Sequence, residues 1–343
     1  MAIYKLEEII QVISGNSKLT KKYVDANNGE FGVVSSSSFN NGIFGYINTF
    51  MYEKGITISK DGSIGNVFWQ DKPFSINTGA FLVKPKDLSI INEKYLFFLL
   101  KTKEKRLKQI GDGSVIKHIY AKDINNLEAI IPDLKTQNSI IDIIEPIEQL
   151  KNTINKIKLI LKKHLILIYK LNQSSKEPIK NQIIIKNKKY KNEKFYCPTS
   201  LVSELSLNKE NLILLDQTKK PSRADLTIED NSFIFSKIIG ENKLMIFSKA
   251  PNIVFSTGFF NIKSKNETND HLLSFLLSND FIYQKNQLQT GTLMQSLNKE
   301  NLNKIFIKKD ILYSNNLFSQ LSNLINLEKN INSILKKILK IFI

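Results

Sequence analysis

The sequence FSINTGAFLVK at residues 74–84 returns in a close variant, IVFSTGFFNIK, at residues 253–263. In both copies an apolar run ends at a polar residue and Thr-Gly, and a second apolar run follows and closes at a lysine. Apolar runs of this length around a Gly turn are typical of two β-strands. The chain is therefore predicted to form the same strand–turn–strand element twice.

Three more blocks recur around this element in the same order. Residues 56–66 (ITISKDGSIGN) come before the first copy, and residues 233–242 (FIFSKIIGEN) come before the second. Matching residues lie 177 to 179 positions apart. A shared order and a nearly constant offset indicate an internal duplication. The remaining matches are an apolar helix-like block at 95–100 and 272–277 and an exit segment at 111–132 and 289–307.

Each copy is followed by a segment whose apolar residues recur at heptad spacing. Sustained a/d spacing predicts a coiled-coil seam. Two amphipathic helices buried within one globule remain an alternative. The first predicted seam comprises Ile147, Leu150, Ile154, Ile157 and Leu161, and the second comprises Leu324, Leu327, Ile331, Ile334 and Ile338.

Short β-like runs among Gly, Asn and Ser turns, followed by helical blocks, predict an α+β fold rather than an alternating βαβ series. The order is a globular domain, a long helix, a second globular domain and a second long helix. The predicted segments are domain one (1–135), the first spacer helix (136–173), a basic linker (174–194), domain two (195–312) and the second spacer helix (313–343). The linker reads equally well as a solvated tether and as a DNA contact.

The charge balance indicates a polyanionic partner. The 343 residues include 49 Lys and Arg against 32 Asp and Glu, a net charge of +17. Nucleic acid or an acidic membrane surface would suit this excess. The single cysteine, Cys197, excludes an internal disulfide and a thiolate metal cluster, and suits a reducing compartment. No signal peptide or membrane-spanning run is evident, so we expect a cytoplasmic protein.

Catalytic motifs are sparse. The sequence has no GxxxxGK[ST] phosphate loop and no Pro-Pro pair. His118, His164 and His271 lack metal-ligand spacing and are interpreted as structural or surface residues, so no metal site is expected. Asp225, Glu241 and Lys243 could form a magnesium-dependent nuclease set, a weak alternative because such triplets are common in lysine-rich chains. Binding is therefore the stronger class.

The order of these blocks resembles the specificity subunits of type I restriction–modification systems over essentially the whole chain. The matching stretches are YKLEEIIQVISGNS at residues 4–17, the two strand–turn blocks, the two Thr-Gly strands, and the exit that ends at Pro132 and leads into the first helix. The second copy lacks the exit proline and has IFIKKD instead.

The resemblance implies two tandem target recognition domains separated by two long antiparallel coiled-coil helices. Each domain would read one half of a bipartite double-stranded DNA target, and the helices would set the gap. The chain would be non-catalytic and would hold no cofactor. Its partners would be two modification subunits, which methylate adenine with S-adenosylmethionine, and two ATP-dependent restriction subunits, so ATP and Mg²⁺ would also bind on the partners.

Polar side chains on predicted loops are the candidate DNA contacts. Arg223 is favoured for a bidentate guanine contact, because the guanidinium fork matches the guanine edge. Each candidate reads equally well as an ordinary solvated loop residue. The candidates are Ser36, Ser37, Asn40, Lys60, Asn77 and Lys117 in the first copy, and Lys219, Arg223, Lys237, Lys243 and Gln295 in the second.

Two further functions stay open at this point. The chain could be the specificity module of a type II-like restriction–modification system, which only the partner would distinguish. It could also be a degenerate scaffold module that has lost its DNA affinity, which predicts weak and sequence-indifferent binding.

Overall fold

A computed structural model describes residues 2–343 except 39, 112–116, 188, 191, 216–219, 241, 267, 291–294 and 310–315. The chain divides into two compact units. Unit 1 comprises residues 1–150 with 332–343, and unit 2 comprises residues 151–331. Each of the two long helices therefore contributes to both units. The expected division into five segments at 135, 173, 194 and 312 stays a prediction.

Unit 1 is built from short strands and helices in the mixed order expected of an α+β fold. Its strands are β1 (Ala2–Lys5), β2 (Ile10–Ser14), β3 (Phe31–Val34), β4 (Ile43–Ile47), β5 (Gly55–Ser59), β6 (Val67–Gln70), β7 (Phe74–Ile76), β8 (Ala80–Pro85) and β9 (Glu128–Ile131). Its helices are α1 (Leu6–Ile9), α2 (Lys21–Ala26), α3 (Glu93–Ile110), α4 (Ala121–Asn125) and the first part of α5 (Leu134–Leu171).

The strands of unit 1 form two main sheets and a closing pair. One sheet has the order β2-β8-β5-β6, and the second has the order β4-β3-β7. The central strands β5 and β8 are buried on both faces, and Ile56, Ile58 and Leu82 are fully buried. β1 pairs antiparallel with β9, so the first strand of the unit lies beside the strand that leads into α5.

Unit 2 repeats this arrangement. Its strands are β10 (Lys176–Pro178), β11 (Ile183–Ile185), β12 (Phe195–Cys197), β13 (Val202–Ser203), β14 (Ser206–Leu207), β15 (Ile213–Leu214), β16 (Ala224–Leu226), β17 (Ser232–Ser236), β18 (Leu244–Phe247), β19 (Ile253–Ser256), β20 (Phe259–Ser264) and β21 (Phe306–Lys308). Its helices are α6 (Asn269–Leu276), α7 (Asn279–Gln287), α8 (Lys299–Leu302) and the main part of α9 (Leu317–Phe342).

The four-stranded sheet and the closing pair of unit 2 match those of unit 1, whereas its second sheet, β15-β12-β19-β16, has one strand more than β4-β3-β7, and β13 pairs with β14. The order β11-β20-β17-β18 corresponds to β2-β8-β5-β6, and β10 pairs with β21 as β1 pairs with β9. The register also matches. Ile56 faces Val83 in unit 1, and their counterparts Phe233 and Ile262 face each other in unit 2. The duplication and the α+β fold expected from the sequence are confirmed.

The segment 174–194, expected to be a basic linker, contributes strands to unit 2. β10 pairs with β21, and β11 pairs with β20. Ile183 is buried in the resulting core because a run of β-branched residues favours a strand with one face covered. Lys180, Lys186 and Lys189 lie outside these strands, so a high lysine content did not mean that the whole segment is a solvated tether.

The two long helices run antiparallel where they meet in unit 2. The Lys158 ammonium forms an ion pair with Glu328 near the middle of both helices. The Asn172 amide, beyond the end of α5, donates to the carbonyl of Lys309, which precedes α9. Leu165, Tyr169 and the first turn of α9 join one apolar core.

One of the two predicted seam positions is wrong. Ile154 and Ile331 are buried, and Ile147, Leu161, Leu324 and Ile338 are half-buried, as a seam requires. Leu150, Ile157, Leu327 and Ile334 are instead exposed, by 49%, 40%, 44% and 48%. For three of the four, the next residue along the chain lies on the inner face instead: Leu335 is buried, and Lys158 and Glu328 pair with each other.

The reason for this rotation lies at the helix ends. Ile144 in unit 1 and Leu165 in unit 2 are drawn into the cores of the units, and they fix which face of α5 turns inward. Lys158 can occupy the inner stripe because Glu328 neutralises it, and its aliphatic stem covers apolar surface. Heptad spacing selects apolar residues only. It therefore did not predict that a lysine paired with a glutamate lies on the inner face of the helices.

Candidate nucleic-acid interface

Three segments of unit 1 meet at the Thr-Gly turn. The backbone N–H of Lys60 donates to the carbonyl of Gly79 at 2.8 Å, and the N–H of Ile119 donates to the carbonyl of Lys60 at 3.0 Å. The N–H of Gly62 donates to the carbonyl of Lys117 at 3.0 Å. The structure therefore brings the candidates Lys60 and Lys117 to one edge, which we call the Thr-Gly edge of unit 1 (residues 35–36, 60–62, 77–79 and 117–119).

Asn77 builds this edge. Its Oδ1 accepts the N–H of Gly79 at 2.9 Å, and its Nδ2 faces the carbonyl of Leu19 at 3.5 Å. The carbonyl of Asn77 leaves no room beside Gly15, where a Cβ atom would lie 1.8 Å from that oxygen. The side-chain amide of Asn77 is thus bonded within the protein and stabilises the turn. A contact between Asn77 and DNA stays a prediction.

The serine-rich loop (residues 35–38) packs against the same turn. A Cβ atom on Gly79 would lie 2.5 Å from the Ser35 hydroxyl and 3.1 Å from the Ser36 nitrogen. Ser36 and Ser37 are half-buried, and Ser37 has an interaction partner. The loop brings Ser36 to the Thr-Gly edge.

Asn40 lies further along this loop. Asn40, Asn41 and the following glycine take positive φ angles of 49°, 52° and 83°, which asparagine and glycine tolerate best. Asn40 Nδ2 lies 3.5 Å from the hydroxyl of Tyr46, and the carbonyl of Asn41 accepts a bond from Gln70 at 2.8 Å. Asn40 is thus exposed beside an exposed tyrosine that the sequence analysis did not select.

Unit 2 has the same edge around its own Thr-Gly turn, formed by residues 223, 237–238, 256–258 and 295–297. The N–H of Lys237 donates to the carbonyl of Gly258 at 2.9 Å, and the N–H of Leu297 donates to the carbonyl of Lys237 at 2.8 Å. Gln295 is exposed two residues before Leu297. These bonds match those of Lys60, residue for residue.

The other candidates of unit 2 lie at or near this edge. The carbonyl of Arg223 accepts the N–H of Thr257 at 2.9 Å, and its side chain is exposed. The Lys243 ammonium donates to the carbonyl of Thr199 at 3.2 Å, and the Thr199 methyl would touch a Cβ atom on Gly258 at 3.0 Å. Lys219 lies outside the described residues.

Lys60 and Lys237 also have matching side-chain surroundings. The Lys60 ammonium lies 5.6 Å from the centre of the Phe81 ring, and the Lys237 ammonium lies 4.7 Å from that of Phe260. Lys237 Nζ additionally donates to the carbonyl of Thr257 at 2.7 Å. Partial burial lowers the pKa of Lys237.

The two edges differ in their remaining charges. In unit 1 the His118 ring nitrogen Nδ1 lies 2.8 Å from the Asp61 carboxylate, and the two residues also form a bridge between their backbones. The corresponding bridge in unit 2 joins Ile238 and Ser296. The sequence analysis missed this pair because its members are 57 positions apart and neither belongs to a recognisable motif.

The other histidines and the cysteine have structural surroundings. His271 is buried with Nε2 at 2.8 Å from the Lys308 carbonyl, and His164 is exposed on α5. Cys197 is buried, and burial raises the pKa of its thiol to about 12. Within the described ranges no group of three or more His, Cys, Asp or Glu residues could hold a metal ion. The described helices include none that could cross a membrane.

The nuclease set gains no support from the part of the chain that the structure describes. The Asp225 carboxylate accepts bonds from the Lys220 ammonium at 3.1 Å and the Tyr190 N–H at 3.3 Å. The bond from Lys220 holds the pKa of Asp225 below its usual range. Lys243 is directed to a backbone carbonyl, and Glu241 lies outside the described residues.

Comparison with known proteins finds a family model similar to the first part of the chain. Residues 1–162 match the family model described as the type I restriction modification DNA specificity domain. The first part of the chain is therefore similar to this domain. The matched range contains the described residues of unit 1 up to α5 and the first Thr-Gly edge. Unit 2 repeats the topology of this specificity domain outside the matched range.

Similar proteins carry the same description. A putative type I specificity subunit from Mycoplasma pneumoniae is 30% identical over 155 residues, 45% of this chain and 50% of that protein. The MjaVIII type I restriction enzyme specificity subunit from Methanocaldococcus jannaschii is 31% identical over 104 residues, 30% of this chain and 24% of that protein. The chain thus spans half or less of the length of these curated relatives.

A solved structure shows the fold of the whole chain. The crystal structure of a type I restriction–modification system S subunit from M. genitalium matches with a TM-score of 0.52 at 14% identity. The match covers 99% of this chain and 92% of that one. Two α+β units of similar topology, each followed by a long helix, are therefore a fold that this chain shares with that S subunit.

Proposed function

We propose that this chain is the DNA sequence-specificity subunit of a type I restriction–modification complex, and that each unit reads one half of a bipartite target. One observation carries the proposal. The region that matches a specificity domain, residues 1–162, contains a four-stranded sheet whose strand order and register recur in unit 2. Two domains of one fold with different loops suit two different half-sites.

The polar composition of the edges supports this function. Each Thr-Gly edge gathers lysines with amide, hydroxyl or guanidinium groups, which are the groups that bind phosphates and base edges. The net charge of +17 supplies the attraction to DNA that does not depend on sequence. The loops that differ between the units, residues 35–41 and the segment around Arg223, would then carry the difference in base preference.

The long helices would set the gap between half-sites and bind the modification subunits. Leu150 and Ile157 on α5 and Leu327 and Ile334 on α9 are exposed, and the two pairs occupy matching positions of the repeat. Two equivalent apolar stripes suit two copies of one partner. The chain itself would be non-catalytic. S-adenosylmethionine, ATP and Mg²⁺ would bind on the modification and restriction subunits.

The decisive experiment compares adenine methylation in genomic DNA of the source organism with and without this gene, using modification-sensitive sequencing. The proposal predicts that methylation at one two-part motif disappears when the gene is deleted and returns when it is restored. Restoring the gene with Arg223→Ala should alter one half of that motif only. A methylation pattern independent of the gene, while the modification subunits are expressed and active, would refute the proposal.

A pull-down tests the helix stripes. The variant Leu150→Ser/Ile157→Ser should lose one of two modification subunits, and adding Leu327→Ser/Ile334→Ser should remove both. A matched control changes Leu88, which is 67% exposed and lies outside both helices, to serine. Retention of both partners by the four-site variant would show that the stripes do not bind them.

A further inference from the structure

Lys60 and Lys237 occupy equivalent positions in the two units, but the side chains around them differ. Each lysine follows the central strand of its four-stranded sheet, and each backbone joins the Thr-Gly turn to the segment that precedes β9 or β21. The lengths of these bonds differ between the copies by 0.1 to 0.2 Å (2.8 against 2.9 Å, and 3.0 against 2.8 Å).

The side chains next to these lysines have changed between the copies. Beside Lys60 lie Asp61 and His118, whose side chains are within hydrogen-bond distance of each other, whereas beside Lys237 lie Ile238 and Ser296. The serine-rich loop packs against the Thr-Gly turn of unit 1, whereas the backbone carbonyl of Arg223 accepts a hydrogen bond from the Thr-Gly turn of unit 2. The lysine and its aromatic ring are the shared feature of two edges that otherwise present different chemistry.

The rings orient both lysines. An ammonium 4.7 to 5.6 Å from the centre of a phenyl ring is attracted to the ring face, which limits the freedom of a long side chain. Both lysines are half-buried, so part of each remains accessible at the edge. A lysine held in this way loses less conformational entropy when it binds an anion.

DNA presents two kinds of contact to such an edge. Phosphates are the same at every base step and fix the register of a protein on the duplex, while base edges differ and carry the sequence information. A side chain that is the same at both Thr-Gly edges is therefore suited to bind a phosphate. Side chains that differ between the two edges are suited to contact the bases. An ammonium serves this role as a point charge, without the planar match that arginine offers to guanine.

We propose that Lys60 and Lys237 are equivalent phosphate contacts, one in each unit, that position the unit on the DNA backbone, and that base preference comes from the differing segments around them. This inference rests on the proposed DNA-recognition function and extends it by dividing the candidate residues into two roles. Arg223 and the Ser36–Asn40 loop belong to the second role.

A structural role is the competing explanation for Lys237. Its ammonium donates to the Thr257 carbonyl at 2.7 Å and could simply brace the turn. Lys60 has the same backbone bonds, and its ammonium lies over the Phe81 ring. A brace would change stability on substitution and leave the response of DNA binding to salt unchanged.

The test uses the full chain bound to its modification subunits, with the wild type, Lys60→Gln and Lys237→Gln. Dissociation constants are measured at several NaCl concentrations for the duplex with the methylated motif and for one with both half-sites scrambled. Each substitution should lower the slope of log K against log[NaCl] by about one. Each should also weaken both duplexes by the same factor, and Lys60→Arg and Lys237→Arg should restore the slope.

Lys72→Gln is the matched control, because Lys72 is exposed near Gln70, at the end of the sheet opposite to Lys60. An unchanged slope for Lys60→Gln and Lys237→Gln, or a loss confined to the target duplex, would overturn the inference. If the wild type itself shows no preference for the target, the proposed function fails. If the wild type discriminates and the slopes do not change, only the phosphate role fails.

Discussion

Lys285 offers a sharp test of the structure, because it is a fully buried lysine in α7. Its ammonium has no hydrogen-bond partner within the described residues. Leu107 is the last buried residue of α3, as Lys285 is of α7, and it is also fully buried. Unit 2 therefore places a charge where unit 1 places a leucine side chain.

The cost of this charge follows from its pKa. Burial lowers the pKa of Lys285 from 10.5 to about 8. One pKa unit corresponds to 1.36 kcal/mol, so the charged form is disfavoured by about 3 kcal/mol in the folded chain. Between pH 8 and 10.5 the unfolded chain binds more protons than the folded chain, and stability rises with pH. Below pH 8 both forms are protonated and the full cost remains.

Lys285→Met removes the charge and keeps an unbranched side chain of similar length. We expect the free energy of unfolding of unit 2 to increase by about 3 kcal/mol at pH 7, and this gain to vanish progressively between pH 8 and 10.5. Urea unfolding followed by far-UV circular dichroism measures the difference at each pH. Trp69, the single tryptophan, lies in unit 1, and its fluorescence serves as an internal control.

A matched control is Lys299→Met, since Lys299 is exposed in α8 and its removal should change stability little at any pH. A gain from Lys285→Met that is the same at pH 7 and pH 10.5 would contradict the reasoning, because a pH-independent gain comes from packing rather than charge. A loss of stability at pH 7 would show that the ammonium is paired in the folded chain.

Four further outcomes are expected. Gly15→Ala should destabilise unit 1 by about 3 kcal/mol in urea unfolding, because its Cβ would lie 1.8 Å from a backbone oxygen; Gly62→Ala, with open space but φ of +62°, should cost about 1 kcal/mol. Cys197 should resist a thiol reagent at pH 8 until the chain unfolds, since its pKa is about 12, and rapid labelling of the native chain would count against its burial. Arg223→Gln should cost about 1–3 kcal/mol against one base of one half-site in competition binding, whereas an equal loss on every single-base variant would indicate a phosphate contact.

The sequence predicted the repeat well because a β-strand and its turn carry a local signature. Residues 74–84 and 253–263 share their pattern, and the structure gives the flanking strands the same register. The strands β10 and β11 were assigned to a linker because their pairing partners β21 and β20 lie far along the chain. Local composition does not reveal such partners.

Electrostatic detail was the least predictable part. A helical lysine is normally solvated, so the sequence did not predict that Lys285 is buried. Its burial became evident at the position of the repeat that is equivalent to the buried Leu107. The same limit explains the helix seam, where Lys158 is covered by Glu328, which lies 170 positions away. The candidate DNA residues could be collected by loop position, but only the fold shows that Lys60 and Lys237 have the same place.

The pairing of β1 with β9, and of β10 with β21, means that each unit begins and ends at the same point of its surface. A unit closed in this way can be exchanged for a different one while the helix that follows keeps its starting position. Under the proposed function, a gene built from such cassettes would change half of its recognition sequence in a single recombination event. New specificities would then arise by shuffling whole units, without waiting for compatible point mutations to accumulate.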